Sequence, residues 1–178
     1  MTVGRFSVYK CHFREDVAQH SYFTALYAMV LADLEMRGGT NVDVERLMRM
    51  AVLHDAEEAR TGDVHHSFKH QDTEFANALD NRAFEWFGRL LGGLPADVAE
   101  EYVSLRKAAR GISTEASLLK AADKIEALLW AYEEYLLGNA YVRKALIVED
   151  ITSKLEQIKL SSVQALVQEI RTRLAVTA

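Results

Sequence analysis

Proline occurs once in this chain, at Pro95, and cysteine once, at Cys11. A single thiol excludes an internal disulfide and suits a reducing compartment. With no Cys/His arrangement around it, Cys11 reads as a small packed side chain rather than a nucleophile. One proline and nine glycines leave long stretches that nothing interrupts as helix. No apolar run approaches the roughly 20 residues of a membrane span. The opening M-T-V-G-R-F-S-V-Y-K lacks the sustained apolar segment of a secretory signal. A basic surplus is missing too: 21 Lys and Arg stand against 26 Asp and Glu, a net charge of -5, which argues against nucleic-acid binding through a broad basic surface. A small anionic ligand stays open, because a local site can differ in sign from the whole. A soluble cytoplasmic protein with neither a nucleic-acid nor a membrane partner is expected.

What is present is ordinary for a globular protein: 49% hydrophobic and 26% charged residues over 178 positions, enough for one domain, 1–178, with a real core. Helical spacing runs from Val17 through Tyr22, Leu26, Met29, Val30 and Leu34, and stops at Gly38-Gly39. Asn41 is placed to cap a second helix striped by Val44, Leu47, Met48 and Ala51. A third spans Thr73 to Leu91 with Phe75, Leu79, Phe84, Phe87 and Leu91 on one period. Pro95 suits the first turn of a short fourth helix. Ser113 or Thr114 starts a fifth that carries Ala122, Ile125, Leu129 and Tyr132 to about Gly138. A last helix is predicted from about Val148 through Ile151, Leu155 and Ile158 to Leu166, Ile170 and Leu174. No strand alternation is persuasive, so the class is all-α.

One stretch departs from that plain pattern: A-V-L-H-D-A-E-E-A-R-T-G-D, Ala51 to Asp63. The apolar stripe of the second helix runs straight into His54, Asp55, Glu57, Glu58 and Asp63. Such groups are costly to bury unless paired or bound to a cation. Glu58 lies one turn from both His54 and Asp55, whereas Glu57 reads as a solvated charge. His20, near the start of the first helix, follows its apolar stripe only approximately. Asp123 lies on an apolar face of L-L-K-A-A-D-K-I-E-A-L-L-W, four residues after Leu119. Two imidazoles and two carboxylates from three helices can make a mixed nitrogen and oxygen site for a divalent transition metal. Taken singly, each residue has a plainer reading. His20 can be a hydrogen-bonded core histidine, Asp123 an ion-paired acid, and the end of the second helix a solvated terminus.

The set His20, His54-Asp55 and Asp123 resembles the metal-binding pattern of HD-domain phosphohydrolases. The closer likeness is to bacterial 5′-deoxynucleotidases of the YfbR type. It is carried by G-R-F near the N-terminus, E-D-V-A-Q-H-S around His20, H-D-A-E-E-A-R-T-G-D, and K-A-A-D-K-I-E-A. The resemblance implies a single HD-domain helical bundle with His20, His54, Asp55 and Asp123 as ligands of manganese, cobalt or zinc. It implies catalytic roles for Asp55 and for Glu58, in the H-D-x-x-E position. Arg5 falls where the family contacts the substrate phosphate. Phe6 stands where it has a tryptophan against the sugar, and Asp63 where it has the aspartate of T-G-D. Val64-His65-His66 replaces a proline- and threonine-bearing loop, so His65, His66 and Lys69 are further candidates for contact with phosphate or base.

The implied reaction is hydrolysis of deoxynucleoside 5′-monophosphates to deoxynucleoside and phosphate. A rival within the superfamily resembles phage HD-domain enzymes that release triphosphate from dATP, and the compartment would then be a host cytoplasm. A second alternative is a non-catalytic helical module in which the cluster is a structural metal site or an ion-paired core. The apolar last helix makes a homo-oligomer an expectation in every case.

Overall fold

A computed structural model describes residues 10–62, 72–140, 142 and 151–176, and side chains as far as 173. The described residues form eight helices and no strand. They are α1 (Val17–Arg37), α2 (Val44–Leu53), α3 (Glu58–Thr61), α4 (Thr73–Leu90), α5 (Ala96–Ala108), α6 (Thr114–Leu136), α7 (Ser153–Glu156) and α8 (Ser161–Val176). The all-α expectation holds. Among the described residues no helix is long and apolar enough to cross a membrane.

Polar side chains start the long helices. Asp16 accepts the Gln19 N–H at 2.8 Å while the Gln19 amide oxygen accepts the Asp16 N–H at 3.0 Å, a reciprocal cap that starts α1 at Val17. Ser113 caps α6 through the Ala116 N–H. The cap of α2 is Asp43, which accepts from the Arg46 N–H at 2.9 Å, not the expected Asn41. Asn41 sits two residues too early, and the Asp43 N–H is itself held by Glu115 at the start of α6. Pro95 stands just before α5, as its N-cap, rather than inside the first turn.

α6 is the axis of the molecule, packed along α1 and α2, with α1 and α2 also against each other. Small residues on α1 (Thr24, Ala28, Ala32) and α6 (Ala121, Ala122) are buried, which lets helix backbones approach closely. Leu47, Met50 and Leu118 fill the space between as fully buried side chains, each worth roughly 2 kcal/mol of burial. This core reverses the predicted face of α1. Tyr22, Met29, Val30 and Leu34 are exposed, and the buried row is His20, Thr24, Ala28, Leu31, Ala32 and Glu35. α1 carries apolar residues on both sides, and the side with small residues is the one that fits against α6. His20, which followed the large-residue stripe only approximately, belongs to the small-residue row.

The last predicted helix is broken in two. Glu35, buried in α1, accepts the Ser162 N–H at 2.6 Å and the Ser161 and Thr40 hydroxyls at 3.1 Å. Gln164 donates to the carbonyls of Glu156 and Ile158 across the break. A carboxylate 127 residues away in sequence thus starts α8 afresh.

Candidate metal centre

Three helices aim the cluster at one point. His20 lies in the first turns of α1, its N–H held by the Asp16 carbonyl at 3.0 Å. His54 ends α2, and the turn it opens carries Asp55. Asp123 lies midway along α6. His20 Nε2 is 3.1 Å from His54 Nε2, 3.4 Å from Asp55 Oδ2 and 3.5 Å from Asp123 Oδ1, and His54 Nε2 is 3.1 Å from Asp55 Oδ2. His20 is 1% exposed and His54 8%, while the Asp55 and Asp123 side chains keep about a fifth of their surface open.

The hydrogen bonds behind the rings decide what faces the centre. His54 Nδ1 lies 2.7 Å from the Ala51 carbonyl, which can only accept, so Nδ1 carries the proton. His20 Nδ1 donates to Glu126 Oε2 at 2.8 Å, both groups buried. Each ring is thereby turned with Nε2 inward. Two Nε2 atoms and two carboxylates facing one another at 3.1–3.5 Å are all acceptors when the rings are neutral. That arrangement calls for a positive charge in its middle. Burial pushes the Asp55 carboxyl up, but protonated imidazoles, supplying that charge in place of a cation, hold it well below the usual carboxylate range through the charge of His54 and hydrogen bonds from both rings. Asp123 Oδ2 is engaged by Lys124 Nζ at 2.8 Å, which leaves Oδ1 toward the histidines.

Glu58 opens α3 one turn after Asp55, its N–H bonded to the Asp55 carbonyl at 2.9 Å, and its side chain is half-buried. Arg5, Phe6, Asp63, His65, His66 and Lys69 lie outside the described residues.

Glu57 is not the solvated charge its sequence context implies. It is 3% exposed and bound bidentately by the equally buried Arg106, through Nε at 3.0 Å and through Nη2, and Arg106 also lies over the Phe84 ring. The partner is 49 residues away, beyond any local pattern. Glu126 did leave a signal: it follows Asp123 by three residues on the same helix, one turn along the buried side. A cleft of about 310 Å³ opens beside the cluster, lined by His54, Asp55, Asp123, Arg106, Arg110 and Lys120.

Residues 1–174 match the family described as 5′-deoxynucleotidase YfbR-like. A 5′-deoxynucleotidase yfbR of Photorhabdus temperata is 32% identical over 127 residues, which cover 71% of this chain and 64% of the relative. The chain thus spans less than two thirds of that relative's length. Among solved structures, an HD-domain phosphohydrolase from Listeria innocua superposes with a TM-score of 0.83 over 98% of this chain and 83% of its own, at 22% identity. The cyanophage S-2L HD phosphohydrolase, solved with dA and one catalytic Zn²⁺ bound, has a TM-score of 0.61 over 99% of this chain and 92% of its own, at 19% identity. Both likenesses are of fold: the helices enclosing the cluster follow the HD-domain arrangement.

Proposed function

Since the chain belongs to the YfbR-like 5′-deoxynucleotidase family, we propose that it is a metal-dependent phosphohydrolase that converts deoxynucleoside 5′-monophosphates to deoxynucleoside and phosphate. The observation that carries this reading is the pair of inward-facing Nε2 atoms 3.1 Å apart, flanked by Asp55 and Asp123. Mixed nitrogen and carboxylate donors suit manganese, cobalt or zinc. A bound divalent cation there supplies a Lewis acid for the phosphoryl oxygen and lowers the pKa of a coordinated water.

The chain's own residues do the rest. His20, His54, Asp55 and Asp123 hold the cation, while Glu126 and the Ala51 carbonyl fix which ring nitrogens face it. Glu58, one turn from Asp55 and half-buried, holds or passes a proton at its carboxylate. In the substrate shell, Arg5 neutralises phosphate charge, Phe6 fills the space that a 2′-hydroxyl needs, and Asp63 helps hold the substrate. His65, His66 and Lys69 complete the contacts to phosphate or base. The unit is one HD domain over 1–178 in the cytoplasm, a host's if the chain is phage-encoded, acting without nucleic acid or membrane. It works as a homo-oligomer, a reading supported by the exposed apolar row Tyr22, Met29, Val30 and Leu34 on α1 and checked by light scattering.

The test is a screen of deoxy- and ribonucleoside mono- and triphosphates with manganese, cobalt or zinc, with the products identified. Orthophosphate from deoxynucleoside monophosphates is expected. Inorganic triphosphate from dATP would replace this reading with the triphosphohydrolase one, and no release from any nucleotide would overturn both.

A further inference from the structure

We propose that the buried pair of Glu57 and Arg106 is a positioning element, which fixes the turn carrying Asp55 and Glu58. It would set the cation site and the proton-handling carboxylate without touching substrate or cation. The proposal rests on the metal-centre reading above and adds to it two residues that stand outside the ligand set.

Between α2 and α3 the chain leaves the α-helical ladder for the residues His54 to Glu57. There the Ala56 N–H bonds to the Leu53 carbonyl at 3.3 Å and the Glu58 N–H to the Asp55 carbonyl at 2.9 Å. Both bonds have the spacing of a 3₁₀ turn, whose geometry is poorer than that of an α-helix. His54 and Asp55 thus sit on backbone looser than the helices on either side. The ring of His54 is fixed from behind, with Nδ1 on the Ala51 carbonyl at 2.7 Å. For Asp55 and Glu58 the hold comes from the residue between them. Asp55 and Glu58 are a turn apart and share one side, and Glu57 faces the other.

On that other side Glu57 and Arg106 are each 3% exposed. Arg106 donates from Nε to Glu57 Oε2 at 3.0 Å and from Nη2 to Oε1. Two parallel bonds from a planar fork fix direction as well as distance. The guanidinium is itself fixed, lying 5.4 Å from the centre of the Phe84 ring on α4. Arg106 belongs to α5, which packs on both α2 and α4. Arg110 comes within 3.9 Å of Glu57 while paired with Asp80 of α4 at 2.8 Å. The turn is therefore joined to two helices that supply no ligand. Stability alone does not account for this, because a buried ion pair adds little over apolar side chains of the same volume. What it adds is a fixed geometry.

The experiment compares the wild type with Arg106→Lys, which keeps the charge but not the fork. It also takes the double variant Glu57→Met with Arg106→Met, which replaces the pair by apolar side chains that pack on Phe84. Kinetics on a deoxynucleoside monophosphate, cobalt titration, thermal denaturation and amide hydrogen exchange of the metal-free protein are measured on each. The double variant is expected to melt within about 5 °C of the wild type. In both variants kcat falls about ten- to hundredfold, with KM changed less than about threefold. The cobalt Kd rises about tenfold, and the Ala56 and Glu58 amides exchange about tenfold faster or more, while those of α1 do not. Wild-type kcat, cobalt affinity and exchange in the double variant would overturn the proposal and leave the pair to the scaffold. Full function in Arg106→Lys would also overturn it, and that variant decides alone if the double one does not fold. Should the wild type neither bind cobalt nor hydrolyse a nucleotide, the metal-centre reading fails, and amide exchange still decides this one. Acceleration confined to residues 54–58 upholds the hold on the turn, and unchanged exchange rejects it.

Discussion

The two halves of α6 hold buried carboxylates in opposite company. Toward its C-terminus Glu134 is surrounded by donors: the His12 and Phe13 N–H groups at 2.9 Å, the Asn139 amide at 2.6 Å and His12 Nδ1 at 3.1 Å. Burial works against its charge, yet these hydrogen bonds pull its pKa down from 4.5 to about 2. Midway along the helix, Asp123 Oδ1 faces His20 Nε2, which, like the neighbouring His54 Nε2, is an acceptor when the rings are neutral. The first arrangement is closed, because every group brings its complement and the chain segment from Lys10 to Phe13 is tied to the bundle. The second is open: with the rings neutral, the atoms it turns inward are acceptors, complementary to a cation from outside. A buried acid surrounded by donors belongs to the scaffold; a knot of buried acceptors belongs to a ligand.

Four perturbations bear on that contrast, the largest first. Asp55→Asn in the open centre is expected to cut phosphatase activity about a thousandfold or more. The metal-free protein should still fold, its melting temperature falling by no more than a few degrees as the contacts of Asp55 with the two imidazoles weaken. Collapse of the fold with no activity to lose would instead place the cluster in the scaffold.

Glu134→Gln in the closed centre should do the converse. It lowers stability by about 2 kcal/mol or more, because an amide cannot accept from all of these donors, while leaving cation affinity unchanged; thermal denaturation and metal titration read the two. The same carboxylate sets an acid limit. Its folded pKa lies below its ordinary value, so its stabilisation is complete above about pH 4.5 and drains away as pH falls toward 2. The loss is on the order of 2–3 kcal/mol, and in Glu134→Gln the decline over that window should be shallower.

Glu126→Gln sharpens the comparison from between the two centres. It keeps an acceptor for His20 Nδ1 but removes the charge behind the ring, and should weaken cation affinity about tenfold. Smallest of all, Glu169→Ala breaks the exposed pair with Arg173 on α8 and should change stability by less than about 0.5 kcal/mol.

What was legible in the sequence was whatever local chemistry decides. The start of α1 follows from the helical period that begins at Val17, its end from Gly38-Gly39, and the start of α6 from Ser113. The cluster residues stood out because an imidazole and a carboxylate continuing an apolar stripe have to be accounted for. Tertiary choices were not legible. Periodicity marks both sides of α1 as apolar, and only packing against α6 selects the row with the small residues. Nothing near Lys159 or Leu160 breaks a helix, because the break is made by Glu35 from the other end of the chain. Glu57 looks solvated until Arg106 is folded against it.

The central claim is that His20, His54, Asp55 and Asp123 share one cation. Its most direct test is equilibrium titration of the metal-free protein with cobalt or manganese. One saturable site per chain is expected, lost in His20→Ala and in His54→Ala and retained in Glu134→Gln. Absence of stoichiometric binding, or binding indifferent to both histidines, would contradict it.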